Sequence, residues 1–137
     1  MSFHIQLTAG SGTPIYRQII EQVRLGVATA TLVPGDAMPS VRTLAEQNVV
    51  NPNTVVKAYA ELVRDGVLES QHGKGFFVAA KRQVYSRAER LRRFHQALDA
   101  FVHEAIFLDF SPDTIRKAVD KKLDELDLPL QRAGEEP

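Results

Sequence analysis

The chain has no cysteine and no tryptophan among its 137 residues. Without thiols, disulfides and thiolate metal sites are excluded, and a reducing compartment suits the composition. Long apolar runs are missing too: none approaches the roughly 18 residues that a membrane-spanning helix needs. The opening stretch, MSFHIQLTAGSG, has no basic segment followed by an apolar one, so no secretory signal is predicted and a cytoplasmic location is expected. Net charge is also absent, since 17 Lys and Arg balance 17 Asp and Glu. What remains is ordinary: 44% hydrophobic and 25% charged residues supply a core for one domain, or for a small domain plus an accessory element.

The zero sum hides an uneven distribution. Lys81, Arg82, Arg87, Arg90, Arg92 and Arg93 crowd one segment in which Glu89 is the acid, and from Phe94 onward acids outnumber bases. A basic junction followed by an acidic C-terminal part is compatible with a solvated helix face or with nucleic acid.

The pattern along the chain narrows this. Phe3, Ile5 and Leu7 alternate with polar residues, predicting a short strand. Thr13-Pro14 reads as a cap followed by proline at the first helical position. Ile15, Ile19, Val23 and Val27 then mark the buried stripe of a helix ending near Thr31. Pro34-Gly35-Asp36 is a turn, and Ser40 caps a short second helix from Val41 to Gln47. Asn51-Pro52 repeats the cap-and-proline signal for a third helix that carries Val55, Tyr59, Leu62 and Val63 and stops at Gly66. Val67-Leu68 and Phe76-Phe77-Val78 flank a tight hairpin, Gln71 to Gly75. Three helices and a hairpin, with a short link between the second and third helices, make a winged helix-turn-helix over residues 1–80.

Such a domain lays its third helix in the major groove of DNA. Asn53, Thr54 and Lys57 lie in the first two turns of that helix. Asn can pair bidentately with adenine, and a Thr methyl can meet a thymine methyl. Arg42, at the start of the second helix, is placed for a phosphate or a guanine, against the plainer reading of a surface ion pair with Glu46. His72, Gly73 and Lys74 form a wing tip small enough to approach the minor groove or the backbone. Asn51 reads as a cap, Tyr16 and Tyr59 as packing residues, and Arg24 and Arg64 as solvated.

The run PGDAMPSVRTLAEQNVVNPNTVVKAYAELVRDGVLESQHGKGFFVA resembles the DNA-binding domain of GntR-type bacterial regulators. Preceded by TPIYRQIIEQVRLGVATATL, it is most similar to the YtrA-like subfamily. The resemblance runs from Phe3 to about Ala80 and rests on the chained elements PIYRQI, PGD-x-x-PSVR-x-LA, NPNTV-x-KAY and HGKGFFV. It implies DNA contacts at Arg42, at Asn53 and Thr54, and at the wing residues His72 and Gly73. Two departures stand out. Asn48-Val49 occupies a turn where many members have Leu-Gly, and Val56 stands where many carry arginine.

The C-terminal part reads as a separate helical element over residues 81–128, with residues 129–137 expected to be a disordered tail. Leu91, Phe94, Leu98, Phe101, Val102 and Ala105 trace one face of a helix from Val84 to about Leu108, roughly 37 Å long at 1.5 Å per residue. Asp109-Phe110 breaks it, and Ser111-Pro112 caps a second helix bearing Ile115, Val119, Leu123 and Leu126. Two such faces cannot be buried within one isolated helical pair, so a symmetric partner is expected: a homodimer whose two reading heads meet an inverted repeat. The resemblance likewise implies a short two-helix region in place of a large effector domain. The basic start of the long helix would then lie near phosphates.

The fold class expected is therefore mainly α with a small β-wing: a winged helix-turn-helix followed by a two-helix dimerisation module. Its partners would be double-stranded DNA and a second copy of the chain, with no membrane. A small-molecule effector is left open, in a crevice between the dimer helices and the DNA-binding domains, although no polar cluster identifies one. His95, Asp99 and His103 rotate around their helix and do not converge on one ion, so no metal site is predicted. No catalytic arrangement and no cofactor motif is found. The rival to a DNA-binding repressor is an adaptor whose winged domain binds protein.

Overall fold

The computed structural model describes residues 3–80 and 85–126. Lys81, Arg82, Val84 and the tail assigned to residues 129–137 lie outside them. The chain divides between Val84 and Tyr85 into two compact units.

In the N-terminal unit, the segment Phe3–Leu7 forms no strand, contrary to the sequence expectation. The alternation is nonetheless real, because Ile5 is buried while Phe3 and Leu7 pack against the core. Side-chain amides take the place of a partner strand. The Gln6 N–H donates to Gln22 Oε1 (3.0 Å), Gln22 Nε2 returns a bond to the Gln6 carbonyl (2.8 Å), and the Leu7 N–H reaches Asn48 Oδ1 (3.4 Å). Gly26 lets Phe3 approach, since a Cβ there would stand 2.7 Å from the Phe3 ring.

Helix α1 spans Ile15–Ala28, with Pro14 and not Thr13 at its N-cap and no side-chain capping bond. The buried amide of Gln18 holds the preceding turn instead. Its Nε2 donates to the carbonyls of Thr8 and Thr13 and to Ser11 Oγ, and its Oε1 accepts from the Thr8 N–H. The helix ends at Thr29, earlier than expected, because Ala30 turns to φ 61°. Helix α2 (Val41–Asn48) starts on Ser40, whose Oγ accepts from the Thr43 N–H, and α3 (Pro52–Arg64) starts on Asn51, whose side chain accepts from the Asn53 N–H. At the end of α3, Gly66 takes φ 77°, its N–H donates to the Val63 carbonyl, and the Val67 N–H donates to the Leu62 carbonyl. This is the Schellman arrangement, and it redirects the chain into the hairpin.

Strands β1 (Leu68–Gln71) and β2 (Gly75–Val78) pair antiparallel, with Leu68 opposite Val78 and Gln71 opposite Gly75. The PGDAM segment is laid along β2: the Met38 N–H bonds the Phe76 carbonyl, and the Val78 N–H bonds the Asp36 carbonyl. Ile19, Val23, Leu44, Val55, Ala58, Tyr59, Leu62, Leu68 and Val78 form the centre of the core. Tyr59 crosses it, with its hydroxyl donating to the Pro39 carbonyl (2.8 Å) and its ring edge-on to Phe76 (4.9 Å). Burial pushes its phenol well above the usual tyrosine range.

Among its described residues the C-terminal unit has two helices. Helix α4 (Arg87–Phe107) begins later than Val84, at a cap made by Ser86, whose Oγ accepts from the Glu89 N–H. Asp109, at φ 67°, ends it, and α5 (Pro112–Leu126) follows, with Ser111 Oγ accepting from the Thr114 N–H. Ala105 is the one buried residue in these two helices. No helix among the described residues is long and apolar enough to cross a membrane.

Candidate nucleic-acid interface

Helix α3 has two faces. Val55, Ala58, Tyr59 and Leu62 are buried, so the 3.6-residue period turns Asn53, Val56, Lys57 and Ala60 outward, and all four are exposed. Asn53 and Lys57, two of the residues expected to meet DNA, are thus on the exposed face. Thr54 is half-buried at the boundary between the faces, with its backbone N–H taken by the Asn51 carbonyl. Val56, noted in the sequence as a departure from the family pattern, and Ala60 complete the outward stripe at the spacing Asn53, Val56, Lys57, Ala60 (i, i+3, i+4, i+7).

Arg42 projects from the first turn of α2 with 87% of its side chain exposed, and its Nε meets Glu46 Oε2 at 3.2 Å. The ion pair weighed as the plain reading is therefore present. Exposed i, i+4 pairs are worth about 0.3–0.5 kcal/mol, so the guanidinium is readily released to a stronger anion.

Between α2 and α3 the link closes through Val49, which adopts φ 53° and is 92% exposed. The Val50 N–H donates to the Ala45 carbonyl and the Val49 N–H to the Glu46 carbonyl. Here a β-branched residue occupies the left-handed position that Gly66 fills after α3.

At the wing tip the Lys74 N–H donates to the Gln71 carbonyl (2.9 Å), and Gly73 takes φ 73° at the third position of that turn. A positive φ there is what a type II turn demands of its third residue, and glycine meets it without strain. His72, Gly73 and Lys74 are all exposed.

Lys57 has a neighbour that sequence spacing did not suggest. Its Nζ lies 3.9 Å from the centroid of the Tyr16 ring on α1. In the C-terminal unit, the basic start of α4 is partly neutralised. Glu89 receives Arg92 at 2.7 Å and Arg93 at 2.8 Å, and Arg93 also stacks on Tyr85. Hydrogen bonds from Arg92 and then Arg93 hold the Glu89 carboxyl down at about 2.

The proposed dimer residues are on view in the same unit. Phe94, Leu98, Phe101, Val119 and Leu123 are exposed, and Leu91, Val102 and Ile115 are half-buried. Ile106, Phe107 and Phe110 add to the exposed apolar surface around the α4–α5 turn.

A helix-turn-helix braced by α1 and followed by a short β-wing defines the N-terminal unit as a winged helix-turn-helix domain. Residues 15–78 match the bacterial regulatory proteins of the gntR family. Over 75 residues the chain is 47% identical to the transcriptional repressor YtrA of Bacillus subtilis, a match covering 55% of this chain and 58% of that relative. It is also similar in structure to YtrA from Sulfolobus acidocaldarius, a GntR-family transcription factor, with TM-score 0.52, 31% identity and coverage of 88% of this chain and 97% of that one. The transcriptional antiterminator from Listeria monocytogenes EGD-e shares the fold with TM-score 0.80 at 29% identity, over 93% of this chain and 96% of that one. The chain belongs to the GntR family of bacterial transcription regulators, on its YtrA-like branch.

Proposed function

We propose that this regulator is a repressor that binds an inverted-repeat operator as a homodimer. The observation that carries the reading is the outward stripe of α3. Asn53 offers a bidentate amide, Val56 offers methyl groups suited to a thymine methyl, and Lys57 offers a cation, all on one exposed face backed by a packed core. Arg42 on α2 and Lys74 on the wing add phosphate contacts, which position the protein without reading sequence. The exposed apolar side chains of α4 and α5 support a second copy as their cover, and a two-fold dimer presents two recognition helices to two half-sites.

The test is a gel shift with the DNA upstream of the protein's own coding sequence, together with Arg42→Ala, Asn53→Ala and Lys74→Ala. Arg42→Ala is expected to weaken binding. Lys74→Ala should weaken it on every sequence and lower the salt slope by about one, while Asn53→Ala mainly relaxes specificity. If no duplex is bound below micromolar concentration at low salt, the DNA reading fails and the protein-binding adaptor takes its place.

A further inference from the structure

We propose that Tyr16 is a positioning residue for DNA binding: its ring holds the Lys57 ammonium in place for a backbone phosphate. The inference rests on the DNA reading above and assigns a task to a residue that sequence treats as packing.

The two cations that α2 and α3 are expected to offer DNA, Arg42 and Lys57, are held in opposite ways. Arg42 is paired with a carboxylate, Glu46, at 3.2 Å. That carboxylate offsets part of its charge, and the exposed pair has to open, or leave the carboxylate repelling the phosphate, when DNA arrives. Lys57 instead lies 3.9 Å from the centre of a neutral ring, and no carboxylate among the described residues pairs with it. The ring's quadrupole attracts the ammonium without neutralising it. Tyr16 is half-buried and packs against the core, so it is a fixed platform. Arg17 adds a second cation, its guanidinium 5.9 Å from the same ring, concentrating positive charge where α1 begins beside α3.

A lysine stem is rich in rotamers, and fixing it on binding costs entropy. Docking the ammonium on Tyr16 removes part of that freedom before DNA is met, so the phosphate contact is made from a narrowed ensemble. The hydroxyl has no part in this. That separates the role from a direct Tyr16 bond to phosphate.

A double-mutant cycle tests it: wild type, Tyr16→Leu, Tyr16→Phe, Lys57→Ala and the Tyr16→Leu/Lys57→Ala pair. Affinity for one duplex operator fragment is read by fluorescence anisotropy across a salt series, with circular dichroism melts to establish folding. Tyr16→Leu should bind about fivefold more weakly with an unchanged salt slope, since the phosphate contact is still made. Tyr16→Phe should bind like wild type. Lys57→Ala should lower the slope by about one, and adding Tyr16→Leu to it should cost nothing further. Additive losses, tighter binding by Tyr16→Leu, or a Tyr16→Phe as weak as Tyr16→Leu each overturn the proposal. Should Tyr16→Leu fail to fold, Tyr16→Phe still decides between ring and hydroxyl. A wild type that binds no duplex defeats the DNA reading and this inference together, whereas tight wild-type binding with an additive cycle defeats the inference alone.

Discussion

The two units are built from similar material and end in different states. In α3 every residue of the apolar stripe finds cover: Val55, Ala58, Tyr59 and Leu62 are each at 0% exposure. In α4 the stripe is as regular, yet Phe94, Leu98 and Phe101 stay 42–48% exposed and Ala105 alone is buried. The first unit has three helices, a hairpin and an N-terminal segment closing around one core. Among its described residues the second has two helices, too few to enclose a core between them. An amphipathic pattern in sequence therefore says that a face will be buried, but not whether its own chain or another copy does the burying.

The same substitution made on both sides sharpens this contrast, and it carries the largest expected effect. Leu62→Ala should cost about 2–5 kcal/mol of unfolding free energy, the usual range for emptying a filled leucine site. That loss should be the same at any protein concentration. Leu98→Ala should cost stability only where dimers form, so its penalty should shrink on dilution, and sedimentation equilibrium should show a weakened association. A Leu98→Ala penalty independent of concentration would place the cover of that face within one chain and end the dimer reading.

Local signals account for most of what could be read without coordinates. Ser40, Asn51 and Gly66 act within a few residues of themselves, and each caps or stops its helix as its sequence neighbourhood indicates. Thr13 misled because Gln18, from inside the helix, holds the turn that Thr13 was expected to cap. The Phe3–Leu7 alternation was legible; its partners, Gln22 and Asn48, sit on helices and carry no strand signal. The outward stripe of α3 is half legible, since polar Asn53 and Lys57 advertise themselves whereas Val56 and Ala60 do not. The Tyr16–Lys57 contact joins two helices, and no local pattern encodes it.

A smaller effect tests the helix stops against one another. Ala30, Val49, Gly66 and Asp109 all take positive φ just past a helix end, and only one of them is glycine. A non-glycine residue in the left-handed region costs about 1–2 kcal/mol, while glycine gives part of that back through a freer unfolded chain. Val49 is 92% exposed, so its side chain has little packing to lose. Val49→Gly should raise the stability of the N-terminal unit by up to about 1 kcal/mol, read as a higher midpoint in urea. A lower midpoint would show that the valine is held there by contacts rather than tolerated.

Titration separates the units in a last and smaller way. Among the described residues of the N-terminal unit the shifted group is Tyr59, and burial is the cause. In the C-terminal unit Arg92 is raised by its hydrogen bond to Glu89, and Glu89 is held at about 2 by hydrogen bonds from Arg92 and Arg93 on the surface. Because its folded value lies below the ordinary carboxylate value of 4.5, the stabilisation is present in full above that value and is lost as pH falls toward about 2. The position of Glu89 in the first turn of α4 adds to this, since a negative charge there favours the helix. The carboxyl carbon resonance of Glu89 should accordingly titrate far below those of unpaired glutamates, and the gap should narrow in high salt because the partners are exposed. Helicity lost between these two pH values in the wild type should be reduced in Glu89→Gln, which has no such proton to take up. A Glu89 midpoint near 4.5 would mean that the arginines at the start of α4 are not held by it, leaving more of their charge for DNA.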